Sequence, residues 1–186
     1  MASRLWLAAL GAAIVAGSAA AAPLHGPTQA QVAVCFVPEQ ECSDDIVAAI
    51  DGAQKTIRVQ AYGFSAPPIL KALAAARQRG VDVEIVLDKS DADRERKPRF
   101  AAALAMQKAG IPVWIDDRPH TAHNKLIIID DREVIGGSYN YTRTSDHKNV
   151  ENVTFITSPE VAGWYGANWQ GRRELSRPFD PGAGPQ

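Results

Sequence analysis

Three observations predict an α/β sandwich, a mixed central sheet with helices on both faces. Strand and helix patterns alternate through the earlier part of the chain. The unbroken apolar run Leu126-Ile127-Ile128-Ile129 reads as a strand covered on both sides, and a hairpin pattern comes late.

Residues 30–37 have strand character and carry Cys35. Ser43 reads as an N-cap, with Asp44 and Asp45 in the first turn and Ile46, Val47 and Ile50 as the apolar stripe of a helix. Ile57, Val59 and Ala61 alternate as a second strand. Ser65 and Pro67 open a helix that Gly80 closes, and residues 81–87 form a third strand. Phe100, Leu104 and Ala105 lie on a helix that Gly110 ends; a short strand follows at 113–115. The apolar run then turns through Asp130-Asp131-Arg132 into a return strand at Val134-Ile135. Residues 153–156 give the last strand. Ser158-Pro159-Glu160 starts a helix with Val161, Trp164, Tyr165 and Trp169 on one face, a spacing that assigns both tryptophans to packing. From Pro178 onward the chain is rich in Pro and Gly and reads as a fraying tail. A single domain is drawn at 23–180, with 181–186 as a flexible tail.

The beginning of the chain reads as something other than domain. A short positive start ending at Arg4, a run of apolar residues at 5–17 and the small residues Ser18-Ala19-Ala20-Ala21-Ala22 have the pattern of a secretory signal peptide over 1–22. The expectation is an exported protein, periplasmic or secreted. Cys35 and Cys42 then meet an oxidising compartment, where they form a local disulfide or remain two buried thiols; two cysteines without a nearby histidine do not make a zinc site. The net charge of −1 is not that of a strongly basic nucleic-acid binder, so any site for a polyanion has to be local. The densest basic patch is Arg94, Arg96, Lys97 and Arg99. Asp91, Asp93 and Glu95 are interleaved with it, so it also reads as a solvated loop.

The chemistry concentrates in His123-Asn124-Lys125, Asp130 and Gly137-Ser138-Tyr139-Asn140, a run of the form His-x-Lys-x4-Asp-x6-Gly-Ser-x-Asn. Residues two apart on a strand share a face, so His123 and Lys125 emerge side by side. A two-residue loop at Asp131-Arg132 would place Lys125 opposite Ser138 and His123 opposite Asn140, clustering the polar groups at the open end of one hairpin. Asp130 reads as a tie for that hairpin, and Gly137 as a place of close backbone approach.

This run resembles the signature of the phospholipase D superfamily. Ala122-His123-Asn124-Lys125, Gly137-Ser138-Tyr139-Asn140-Tyr141-Thr142 and Asn149-Val150-Glu151-Asn152 look like the small secreted bacterial endonucleases of that superfamily, and the likeness runs from residue 34 to residue 179. The resemblance implies a homodimer whose active site straddles a twofold axis, each chain supplying one motif. It implies that His123 of one subunit attacks phosphorus while the second copy protonates the leaving alcohol. Lys125 and Asn140 would bind the non-bridging oxygens, Ser138 would add a hydrogen bond to phosphate, and Glu151 would orient the nucleophilic imidazole. No metal and no cofactor enter this scheme. The expected substrate is DNA, with RNA also open, cut with little sequence preference. The alternative is a phospholipase D acting on phosphatidyl lipids of a membrane, and a non-catalytic phosphate binder is a third reading. Tyr141 and Arg143, just past the motif, are candidate substrate contacts with Arg94 and Arg96; Tyr62 and Phe64 are candidate rim residues. His120 and His147, in flanking loops, are rivals for the proton donor, and His25 is expected to be idle.

Overall fold

The computed structural model of the chain describes residues 25–182; the signal peptide read at 1–22 and the end of the tail lie outside them. Its strands are β1 (Gln31–Val37), β2 (Thr56–Ala61), β3 (Asp82–Asp88), β4 (Val113–Asp116), β5 (Lys125–Ile129), β6 (Glu133–Gly137), β7 (Glu151–Thr157) and β8 (Arg177–Pro178). The helices are α1 (Cys42–Gly52), α2 (Pro67–Gln78), α3 (Lys97–Lys108), α4 (Arg143–His147) and α5 (Pro159–Leu175). All eight strands join one mixed sheet in the order β1-β7-β6-β5-β2-β3-β4-β8. The β2–β3 and β3–β4 pairs are parallel, as helical crossovers require, and β5–β6–β7 is an antiparallel meander.

Both faces of the sheet are covered. Ile127, Ile129, Ile57, Val59 and Ile85 pack with α1, α2 and α3 through Ile46, Ile50, Ile69, Leu73 and Met106. Leu126, Ile128, Val86 and Val134 pack on the other face against Val161, Ala162 and Trp169 of α5. Alternate residues of 126–129 thus serve opposite cores, the physical reason that the run is apolar without a break. Trp169 is buried, and its indole N–H donates to the Val59 carbonyl at 2.9 Å. Ser158 caps α5 by accepting from the Val161 amide.

Three local expectations are corrected and one, the local disulfide, is met. Helix α1 begins at Cys42 with Glu41 at the N-cap position, so Ser43 lies inside the first turn. Cys35 and Cys42 are disulfide-bonded and tie the middle of β1 to the start of α1. The segment after α5 does not fray at once: Arg177 and Pro178 pair with β4, and Phe179 is buried against Phe100. The hairpin register differs by one residue from the expected one, because Leu126 faces Gly136 and Ile129 faces Glu133. The loop therefore has three residues, Asp130 to Arg132.

Asp130 explains that loop. It and Asp131 adopt positive φ, 54° and 51°, a region that Asp tolerates better than most side chains. The Asp130 carboxylate then accepts from the backbone amides of Gln54, Lys55 and Thr56 at 2.8, 2.7 and 2.9 Å. The hairpin tip is pinned to the entry of β2, at the end of the sheet remote from Lys125. Burial pushes the Asp130 carboxyl upward, but the three amides outweigh it and hold its pKa below the ordinary value.

A depressed carboxylate pKa contributes stability above the unfolded pKa that is lost as pH falls. Asp130→Asn should therefore cost about 1–3 kcal/mol near neutral pH. The deficit should shrink as pH drops below about 4. Denaturant unfolding across that range checks it; a deficit independent of pH would mean that the carboxylate charge is not what holds the loop.

Candidate active site

The motif residues gather where β5 begins, β6 ends and β7 begins. The loop leaving β2 holds them there. The Tyr62 amide donates to the Asn124 carbonyl at 2.9 Å, while the Ser65 and Ala66 amides both donate to the Tyr141 carbonyl at 2.7 and 2.8 Å. Residues 62–66 thus bridge the His123 segment and the Asn140 segment, which the β5–β6 ladder itself does not reach. The polar groups come to one end as expected, but by way of this third segment rather than by facing each other across a hairpin.

His123 is exposed, and its ring lies 4.7 Å from the ring of Tyr62. Among the described residues neither of its ring nitrogens makes a hydrogen bond. Asp88 fixes the approach to it: this buried carboxylate accepts from the Ala122 amide at 2.7 Å and from the Ser90 amide at 2.8 Å. The Lys125 ammonium donates to the His123 carbonyl at 2.9 Å and lies 5.1 Å from the Tyr62 ring. Burial lowers its pKa; the Glu151 carboxylate pulls the value back up, and the Arg99 guanidinium pushes it down again.

Gly137 cannot be replaced here. Its φ is +148°, and a Cβ would run into the carbonyl oxygen of Asn152. That close approach lets the Ser138 hydroxyl donate to Glu151 at 2.5 Å and accept from the Asn152 amide at 3.1 Å. The other Glu151 oxygen accepts from the Asn149 amide group at 2.7 Å. The single hydroxyl proton of Ser138 is directed at Glu151 rather than left for a phosphate. Glu151, nearly buried, is held by Ser138 and Asn149 and makes no hydrogen bond to the imidazole of its own chain.

Asn140 is half-buried, and its side-chain oxygen is shielded from solvent without a hydrogen-bond partner among the described residues. Tyr141 belongs to the core. It is 2% exposed and pairs with Phe64 in a parallel bridge, so neither is a rim residue. The two rings are 6.5 Å apart, edge to face. Arg143 is exposed at the start of α4, a helix that the sequence reading did not contain. Arg94 turns away toward the C-terminal segment, donating to the Pro181 carbonyl and stacking on Phe100. Arg96 is exposed and pairs with Asp93 at 3.7 Å. His147 lies 3.6 Å from Asp146, and His120 is exposed. His25 stacks on Trp164 with ring centres 5.3 Å apart.

Two residues that were not singled out complete the site. The Arg99 guanidinium stacks over Tyr62 at 4.6 Å, donates to the Ser90 hydroxyl at 2.9 Å and lies 3.9 Å from Asp91. Asp91 is fully buried and accepts from the Phe64 amide at 3.1 Å and, more weakly, from the Gly63 amide at 3.4 Å. The sequence showed Arg99 only as one member of a mixed charged loop, and nothing in its spacing pointed to Tyr62. Among the described residues no group of three His, Cys, Asp or Glu side chains is arranged to hold a metal. A hollow of about 570 Å³ lies by the opposite end of β1, lined by Gln31, Ala33, Ala49 and Glu133, and contains no motif residue.

Residues 46–171 match the family model described as cardiolipin synthase, PLD-like domain. The chain belongs to the phospholipase D superfamily and is a phosphodiesterase. It is similar to a phospholipase D of Rickettsia felis, 43% identical over 145 residues that span 78% of this chain and 70% of that protein. The human mitochondrial cardiolipin hydrolase is 32% identical over 127 residues, 68% of this chain and 49% of that protein. Among solved structures, Nuc from Salmonella typhimurium, a phospholipase D family member, superposes with a TM-score of 0.74 at 37% identity. That match covers 81% of this chain and 99% of Nuc, and it carries the same α/β fold.

Burial raises the Asp91 carboxyl to about 6, against the opposing pull of Arg99 and the two amides. A raised folded-state pKa gives stability that is full below the unfolded pKa and lost as pH rises through the folded one. Between about pH 4 and about pH 6 the stability of Asp91→Asn, relative to wild type, should therefore rise by on the order of 3 kcal/mol. Unfolding curves that stay parallel across that window would remove Asp91 as a buried, late-titrating acid.

Proposed function

We propose that the chain is a metal-independent nuclease that hydrolyses DNA, and RNA by the same chemistry, through a phosphohistidine. The observation that carries this reading is the open, polar surround of His123: Lys125 and Arg99 share the Tyr62 ring with it, and Asn140 adjoins the neighbouring Gly63. A ring nitrogen of His123 bonds to phosphorus as the P–O bond to the leaving alcohol breaks, and His123 of the partner subunit donates a proton to that oxygen. The second imidazole then takes a proton from water, whose oxygen attacks phosphorus as the P–N bond breaks and His123 is released. Lys125 and Asn140 hold the non-bridging oxygens and stabilise developing charge. Ser138 and Asn149 fix Glu151, and we place its imidazole partner in the other subunit.

One His-x-Lys per chain makes the second copy necessary. An apolar stripe supports a dimer. Val32, Val34 and Phe36 project from edge strand β1 on the face that α5 covers elsewhere, and they are 60%, 44% and 53% exposed. The stripe runs to the site, since Phe36 faces Asn152 and Val37 faces Glu151, and exposed Val150 adjoins it. The Cys35–Cys42 bond fits the oxidising compartment that an exported protein would reach.

The names of the relatives favour a second reading more than the first: a phospholipase D acting on phosphatidyl lipids. The chemical steps are the same, so substrate assays separate the two. Plasmid DNA and RNA should be cut as fast in EDTA as without it, and phosphatidylcholine vesicles should release no choline. Choline release with intact nucleic acid would establish the lipid reading instead. His123→Ala should lose at least about a thousandfold in rate while staying folded, as loss of a nucleophile requires. A further variant addresses assembly: Phe36→Glu should sediment as a monomer and lose activity in proportion. A fully active monomer would exclude a site shared between chains.

A further inference from the structure

Beside the reacting groups lies an open cavity of about 400 Å³ that the proposed chemistry leaves unused. Asn140 forms part of its wall; His123 and Lys125 do not. The wall continues through Arg96, Arg99, Ser65, Thr144 and Asn149, a mostly polar set. Asn149 also donates to Glu151, so the cavity shares walls with the motif at two places.

Arg99 is built as a fixed anion donor. Its guanidinium has five N–H donors in one plane. One bonds Ser90, Tyr62 supports the plane from 4.6 Å, and Asp91 holds it from 3.9 Å. The side chain is 18% exposed, so its remaining donors are already positioned before any ligand arrives. Glycine at position 63 makes room for it: φ is +76°, and a Cβ there would lie 2.8 Å from Nη2 of Arg99 and 3.4 Å from Cβ of Asn140. Arg99 and His123 contact the same tyrosine ring, so an anion on Arg99 would be a near neighbour of a phosphorus at His123. Arg96 adds a second guanidinium whose only ionic partner among the described residues is exposed Asp93.

We propose that this cavity takes the phosphate next to the scissile phosphodiester on a polynucleotide strand. The proposal rests on the nucleic-acid reading and deepens it. Two arginines offer forked, charge-assisted donors, the geometry that suits phosphate oxygens. Ser65, Thr144 and Asn149 supply short polar side chains for backbone or sugar oxygens, as is usual where a protein holds a strand without reading its bases. A strand gripped at two consecutive phosphates is also held in register over His123, which a single phosphodiester is not.

The test compares the dinucleotide TpT, which has only its scissile phosphodiester, with pTpT and TpTp, which carry a further phosphate on one side or the other. Wild-type protein should cleave one of the two flanked substrates with a kcat/KM about tenfold above that for TpT, the value of one good charged hydrogen-bond contact. Arg96→Ala and Arg99→Gln should each collapse that advantage toward unity. Arg96 is exposed, so its variant keeps the test valid if Arg99→Gln folds poorly. On His123→Ala protein, binding of a single-stranded oligonucleotide should show a salt slope shallower by about 0.7 for each arginine removed. Equal rates on all three substrates, or an advantage that survives both substitutions, would overturn the subsite while leaving the nuclease reading in place. Failure to cleave TpT, pTpT, TpTp and long DNA alike would sink both. Vesicles of cardiolipin, which has two phosphodiesters in one headgroup, form the last arm. An arginine-dependent preference for cardiolipin over phosphatidylglycerol, with none among the dinucleotides, would reassign the cavity to a lipid.

Discussion

The turn at residues 62–66 is the constraint on which the site depends. It leaves β2 and is clamped on both sides, by the Asn124 carbonyl and by the Tyr141 carbonyl. Beneath it, the Asp91 carboxylate satisfies the Gly63 and Phe64 amides. Each of those amides would otherwise be buried without a partner, at a cost of about 1–3 kcal/mol apiece. The clamp explains why an expensive buried carboxylate is kept so near a site that handles anions. It orders a backbone that carries Tyr62 to His123 on one side and Gly63 to Asn140 on the other.

Tyr62 then acts as a common floor. His123, Lys125 and Arg99 all lie within about one ring width of it. Burial is the main reason that the Lys125 pKa is lowered, and repulsion from Arg99 beside the same ring adds to it. Glu151 opposes it from the β7 side, held in place by Ser138. Gly137 lets β6 approach Asn152 closely enough for Ser138 to reach Glu151.

The fold was legible because its signals were periodic and redundant. The apolar run at 126–129 announced a strand with two covered faces, and Ser158-Pro159 announced α5. The motif residues were legible as a set because their spacing is unusual. What escaped was whatever depended on a single residue or on contacts distant in sequence. The hairpin register turned on Asp130 and Asp131 accepting positive φ, whereas a two-residue type I′ loop would have asked it of Asp131 and Arg132. Tyr141 was read as a substrate contact because a tyrosine next to a motif looks the same whether it faces solvent or Phe64. Arg99 and Asp91 lay hidden in a loop of mixed charge, where only the tertiary contact to Tyr62 and Gly63 separates them from Arg94, which turns the other way.

Net charge near zero and the proposed polyanionic substrate are compatible because the positive groups are concentrated rather than numerous. Lys125, Arg99 and Arg96 gather at one end of the sheet, and the carboxylates nearest to Lys125 and Arg99 are occupied: Asp91 by backbone amides, Glu151 by Ser138 and Asn149. A phosphate entering among them would relieve the mutual repulsion of Lys125 and Arg99 and raise the lysine pKa again. On the proposed reaction that relief grows as further negative charge develops on phosphorus oxygens, because the donors are already in place and need no rearrangement.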